Sequence, residues 1–152
     1  MEIRAVALPD LDSVRVLWRE YWQWLGLPTG FQDFENECRA LPGLYAPPGG
    51  RLLVAVVDGA IVGTMALRPV DDKGCEAKRL YVSPEHRRLR VAWALLERMM
   101  IEARGAGYET MFADTLPTMQ AALEFYARAG FMVCGPYSSD PTPGAVYLQR
   151  SL

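Results

Sequence analysis

The chain has 152 residues, 51% of them hydrophobic and 22% charged, with a formal net charge of -2 at neutral pH. That length and apolar content suit one domain over residues 1–152 with a substantial core, and require no second. The slightly acidic balance argues against a nucleic-acid binder, which carries a basic face, and no apolar run approaches a membrane span.

Three cysteines, Cys38, Cys75 and Cys134, are odd in number and lack the paired spacing of a zinc site or a disulfide framework. They point to a reducing cytoplasm and to no metal. The opening MEIRAVALPD holds acidic residues and no long apolar core, so no leader is expected.

Residues 2–6 alternate like an edge strand. Pro9 then opens a helix with an apolar face of Leu11, Val14, Leu17, Trp18, Tyr21 and Leu25, stopped by Gly26 and Pro28. Residues 31–41 read as a second, shorter helix. Strands over 51–57 and 60–68 are joined by Asp58-Gly59, a strong hairpin signal. A further arm, 74–82, follows the Asp71-Asp72-Lys73-Gly74 turn and leads into a helix over 89–104, ended by Gly105 and Gly107. Residues 108–114 form the next strand and 118–129 a helix closed by Gly130, where a left-handed cap is needed. Strands over 131–134 and 145–152 flank a turn-rich loop, 135–144. Strands followed by a strand-helix-strand crossover imply an α/β (α+β) chain with a mixed sheet and helices on both faces.

The segment 80–96, LYVSPEHRRLRVAWALL, carries the most information. A short strand, a tight turn and a helix with Val91, Ala92, Leu95, Leu96 and Met99 at helical spacing place unpaired amides at the positive end of a helix dipole. That layout receives a diphosphate. Lys78, Arg79, Arg87, Arg88 and Arg90 form a local basic cluster suited to such a ligand.

This segment resembles the cofactor motif of the GCN5-related N-acetyltransferases (GNAT), Q/R-x-x-G-x-G/A. Arg87 takes its first position, Arg90 stands where the family has its first glycine, and Ala92 takes the last. Residues 107–131, GYETMFADTLPTMQAALEFYARAGF, resemble the family's later strand, tyrosine-bearing helix and Gly-Phe, and 75–82, CEAKRLYV, resembles its fourth strand. The resemblance implies a single-domain, mixed, mostly antiparallel twisted sheet of about six to seven strands flanked by about four helices on both faces. It also implies acetyl-CoA as co-substrate. The diphosphate would be held by Arg87, Arg88, Leu89, Arg90, Val91 and Ala92, and the pantetheine arm would add to the backbone of Leu80, Tyr81 and Val82 like a strand. Thr115 would contact the coenzyme or cap a turn. A glycine at position 90 would admit the phosphate without a Cβ in the way, so Arg90 must point its side chain outward or crowd the ligand.

Acetyl transfer from a thioester to an amine needs a deprotonated amine, a polarised carbonyl and a proton for the departing thiolate. The resemblance makes Tyr126 the proton donor; its helical spacing with Ala122, Phe125 and Ala129 equally describes a core aromatic. Glu76 is the candidate base, or else the partner of a neighbouring Lys or Arg. The amide of Val82 or Tyr81 would polarise the carbonyl. His86, the only histidine, falls in the phosphate turn, remote from the chemistry, and Cys75 has no histidine partner to activate it. Trp22, Trp24, Phe31, Asp33, Phe34 and Glu37 are candidates for the walls of an acceptor pocket, although core packing explains them too. The expected activity is acetylation of a small-molecule primary amine, with no nucleic-acid or membrane partner and with a homodimer as one possible assembly. A non-catalytic acyl-CoA-binding module, or a peptide or protein N-acetylase, are the alternatives.

Overall fold

The Asp58-Gly59 turn organises the centre of the sheet. Strands β2 (Arg51–Val57) and β3 (Ala60–Pro69) pair antiparallel with Val57 opposite Ala60. Asp58 and Gly59 take φ of 49° and 80°, the left-handed values a two-residue hairpin demands. In the computed structural model, which describes residues 1–28, 30, 33–138 and 143–152, β1 (Glu2–Ala5) adds outside β2 and β4 (Gly74–Val82) outside β3, both antiparallel. β5 (Thr110–Thr115) joins β4 in parallel, and β6 (Met132–Cys134) and β7 (Val146–Ser151) complete a seven-stranded sheet ordered β1-β2-β3-β4-β5-β7-β6. The sheet is therefore mixed and mostly antiparallel, as expected.

Helices α1 (Leu11–Leu25) and α2 (Phe34–Arg39) cover one face; α3 (Val91–Gly105) and α4 (Gln120–Arg128) cover the other. The period-two alternation of β2 feeds both cores. Leu52 and Val54 pack under Trp18, Trp22 and Phe34, while Leu53 and Ala55 pack under Leu95, Leu96 and Met99. Gly63 on β3 lets α3 lie close, because a Cβ there would stand 3.2 Å from Val91 Cγ1 and 3.3 Å from Leu95 Cδ1.

Some boundaries differ from the sequence reading. The second helix starts at Phe34 and ends at Arg39, before a 3-10 turn at Gly43–Tyr45; Phe31 lies outside the described residues. The helix expected from residue 89 begins at Val91, because Arg90 takes the left-handed conformation (φ 59°, ψ 25°) after a 3-10 turn over Pro84–Leu89. Tyr108 is drawn out of β5: its amide bonds the Ala103 carbonyl at the end of α3 (3.1 Å) and its hydroxyl donates to the Gly49 carbonyl (2.7 Å). Gln120 opens α4, two residues later than expected.

The decisive feature is where β4 and β5 stop pairing. Only Gly74, Cys75 and Glu76 are in register with Thr110, Met111 and Phe112; beyond them the two strands separate. β4 is bulged here, Arg79 and Leu80 together opposing the single residue Met65 between the Thr64–Tyr81 and Ala66–Lys78 pairs, and Arg79 has a φ of 57°. A bulge of this kind bends its strand and raises the local twist. The buried Thr64 hydroxyl pins it, accepting from Trp18 Nε1 (3.0 Å) and donating to the Arg79 carbonyl (3.1 Å).

Candidate functional site

The split between β4 and β5 opens into a cavity of about 350 Å³. Its lining includes Leu80, Tyr81, Val82, Arg87, Ala92, Thr115 and Tyr126 of the residues predicted from sequence, together with Tyr21, Lys78, Asp114 and Phe125. Strand alternation shows what β4 offers. The Ser83 amide crosses to the Val62 carbonyl on β3 (2.8 Å), so the backbone groups of Val82 and, one pair back, Leu80 point the other way, into the split. Those of Tyr81 face β3. An extended chain can therefore add to β4 at Leu80 and Val82.

Beyond the end of β4 lies the turn before α3, where the sequence placed a diphosphate. The first internal bond of that helix runs from the Ala94 amide to the Arg90 carbonyl (3.1 Å), which leaves the Val91, Ala92 and Trp93 amides without an acceptor inside it. Arg90 takes the left-handed conformation that favours glycine, and it is exposed. Arg88 is likewise exposed, Val91 is core, and the Leu89 side chain lies outside the described set. Arg87 lines the cavity while its Nε donates to the Val82 carbonyl (3.0 Å) and its guanidinium lies over Trp24 and Tyr81. His86 Nδ1 pairs with the Ser83 hydroxyl (2.8 Å) and does not line the cavity.

The basic cluster read from sequence is divided by the bulge. Arg79 turns into the α1–α2 core, with its guanidinium 4.7 Å from the Trp22 ring centroid and 2.7 Å from a Glu37 oxygen. It is a buried structural cation, and Glu37, which also accepts from Tyr45, is its counter-ion. Phe34 stacks on Trp22 at 4.3 Å behind the cavity wall, and Asp33 is exposed beside Asn36. Of the described acceptor candidates, Trp22 and Trp24 line the cavity.

Tyr126 lines the cavity at 7% exposure, wedged edge-on between Phe125 and Phe131. Burial, with smaller contributions from Tyr21, Asp114 and Glu76, pushes its phenol well above the ordinary range, so the hydroxyl keeps its proton at neutral pH. Glu76 sits at the vertex of the split and is 2% exposed. Arg68 Nε holds one of its oxygens at 2.6 Å and the Tyr137 hydroxyl donates to the other. The carboxylate that reaches the cavity is Asp114, two residues beyond the Phe112 that opposes Glu76. Burial is the first cause, and Glu76 the second, of a pKa above the usual carboxylate range. The sequence reading passed over it as a strand end; a carboxylate alternating in phase with Phe112 was the available signal. The Cys75 thiol is buried in the core and pushed up to about 12 by burial, which keeps it protonated. Among the described residues no group of three or more His, Cys, Asp or Glu is placed to hold a metal, and no helix is long and apolar enough to cross a membrane.

Comparison with known proteins agrees with this geometry. Residues 11–131 match the acetyltransferase (GNAT) family. An uncharacterized N-acetyltransferase of Schizosaccharomyces pombe is 38% identical over 155 aligned residues, covering 100% of this chain and 95% of that protein. An acetyltransferase structure from Streptococcus agalactiae superposes with a TM-score of 0.85 at 21% identity, over 99% of this chain and 98% of that one. The PaiA N-acetyltransferase of Thermoplasma acidophilum, solved in complex with coenzyme A, superposes with a TM-score of 0.77 at 20% identity, over 99% and 98% of the two chains. At such identities the two structures share the fold.

Proposed function

The chain belongs to the GNAT family of acetyltransferases, and on that premise we propose that it transfers the acetyl group of acetyl-CoA to the primary amine of a small molecule. Acetyl-CoA brings the activated acetyl thioester. The single observation that carries the reading is the early end of β4–β5 pairing after Glu76 and Phe112, which exposes a strand edge, a buried tyrosine and a carboxylate in one cavity.

Each end of that cavity has a task. The Val91, Ala92 and Trp93 amides, with the charges of Arg87, Arg88 and Arg90, suit a diphosphate. Leu80 and Val82 offer backbone partners to the pantetheine arm, and the Val82 amide is aimed at a carbonyl placed in the split. An aliphatic amine of pKa about 10 arrives mostly protonated. Asp114, facing the cavity, attracts that ammonium and accepts its proton; Glu76, bound by Arg68 and Tyr137, acts behind it by holding the pKa of Asp114 up. Tyr126 donates a hydrogen bond toward the sulfur. Full proton transfer from a phenol of pKa 10 or more to a thiolate of conjugate pKa about 8.5 is uphill by at least about 2 kcal/mol, so Tyr126 stabilises the thiolate while its final proton comes from elsewhere.

The test is calorimetric titration with acetyl-CoA followed by amine-dependent release of CoA. Micromolar binding and acceptor-dependent release are expected. No heat at millimolar acetyl-CoA would overturn the reading.

A further inference from the structure

We propose that the acceptor is a zwitterion of the amino-acid type, with its carboxylate held by Lys78 and its amine by Asp114; the proposal deepens the acetyl-transfer reading and rests on it. Lys78 and Asp114 stand two residues beyond Glu76 and Phe112, the last registered pair, and strand alternation puts them on the same face of the split, one on each lip. Both line the cavity and both are half-buried. Their charged neighbours are already engaged: Glu76 by Arg68, and Arg79 by Glu37. Among the described residues, neither Lys78 nor Asp114 has an ion-pair partner within 4.0 Å, so the two feel each other's charge across the cavity without direct contact.

This arrangement is awkward for a plain amine. An ammonium drawn to Asp114 would meet the Lys78 ammonium across a half-buried gap, where like charges are poorly screened. A carboxylate carried by the acceptor beside its amine removes the conflict, giving Lys78 and Asp114 one opposite charge each. Burial also lowers the pKa of Lys78, with Arg79 adding to the effect, as expected of a cation short of counter-charge. The remaining walls, Tyr21, Trp22, Trp24 and Tyr81, present aromatic surface, which suits an apolar side chain on the acceptor. In the transfer, the ammonium gives one proton to Asp114, which passes it to solvent; the freed amine nitrogen forms the new N–C bond as the thioester C–S bond breaks, its second proton leaves to solvent, and the departing thiolate takes one proton from solvent.

The experiment uses the full chain loaded with CoA or acetyl-CoA and a panel of amino acids, each with its carboxamide and its decarboxylated amine. Binding is read by calorimetry and transfer by CoA release. At least one amino acid should exceed its amide and amine by about 10- to 100-fold in kcat/KM, the range of one charge-assisted contact. Lys78→Met should collapse that ratio toward one and Lys78→Arg should preserve most of it, in variants whose melting matches the parent. Amines accepted as well as acids, or an acid preference that survives Lys78→Met, would overturn the proposal while leaving acetyl transfer standing. Acids that bind the CoA-loaded chain through Lys78 without CoA release would uphold the zwitterion site and remove the transfer reading. Binding by no member of the panel would overturn the proposal.

Discussion

Thr64→Val tests whether the bulge that opens the split is held by one hydroxyl. Thr64 is 0% exposed, and its Oγ1 both accepts from Trp18 Nε1 at 3.0 Å and donates to the Arg79 carbonyl at 3.1 Å. Valine fills the same volume but satisfies neither group. Leaving a buried donor and acceptor unpaired costs about 1–3 kcal/mol each, so the variant should lose about 2–4 kcal/mol after the small gain from the added methyl. For a chain of this size that is a fall of about 5–15 °C in Tm. Thr64→Ser keeps both bonds and should lose only about 1 kcal/mol for the missing methyl. Urea unfolding at fixed protein concentration, with m-values compared, gives the numbers. A Thr64→Val variant within about 0.5 kcal/mol of the parent would refute the pinning argument. So would a Thr64→Ser variant as unstable as Thr64→Val.

Three further outcomes follow from the site. Tyr126→Phe should lower kcat by about 10- to 100-fold through loss of one hydrogen bond to a charged sulfur, with acetyl-CoA affinity by calorimetry little changed; unaltered kcat would remove its role. On the proposed mechanism Asp114 acts as the carboxylate, and its pKa is raised, so kcat/KM should climb with pH through a limb above the ordinary carboxylate range; Asp114→Asn should abolish that limb, and its persistence would assign the limb to another group. Arg90→Gly should leave stability unchanged or raise it by up to about 1.5 kcal/mol in urea. The left-handed backbone costs an arginine about 1–2 kcal/mol, against about 0.5–1 kcal/mol of extra chain entropy for glycine, and a loss of more than about 0.5 kcal/mol would refute the strain.

Local signals carried much of the fold because turn chemistry is local. Asp58-Gly59 specified the central hairpin, and the apolar spacing of 91–99 specified α3, each within a few residues. The strand, turn and helix proposed to hold the cofactor are legible for the same reason: they are contiguous from Leu80 to Leu96. Glu76 shows where that reach stops. Its partners Arg68 and Tyr137 lie 8 and 61 positions away, and only the register of β3 against β4 and the placement of Tyr137 after β6 bring them together. The basic cluster misled in the same way. Lys78 and Arg79 are neighbours in sequence, yet the bulge sends Arg79 against Trp22 and leaves Lys78 at the cavity.

Strand alternation at the split explains why one cavity can serve two ligands. Ala77 and Val82 on β4 and Met111 and Ala113 on β5 turn toward α3 and α4, where Tyr126 is embedded in an apolar core. Glu76, Lys78 and Asp114 turn toward α1 and α2, where Glu76 is paired with Arg68 and Arg79 with Glu37. The separated strand edges lie between these environments, so a chain added at Leu80 and Val82 has apolar packing on one side and unneutralised charge on the other. On the proposed reading Tyr126 offers a hydrogen bond to the sulfur from the apolar side, and Asp114 a proton acceptor from the charged side. Because β4 and β5 hold register for only three residue pairs, the two groups are separated by a gap rather than by a ladder of backbone hydrogen bonds. Extending that pairing past Glu76 would close the gap, and with it the passage between Tyr126 and Asp114.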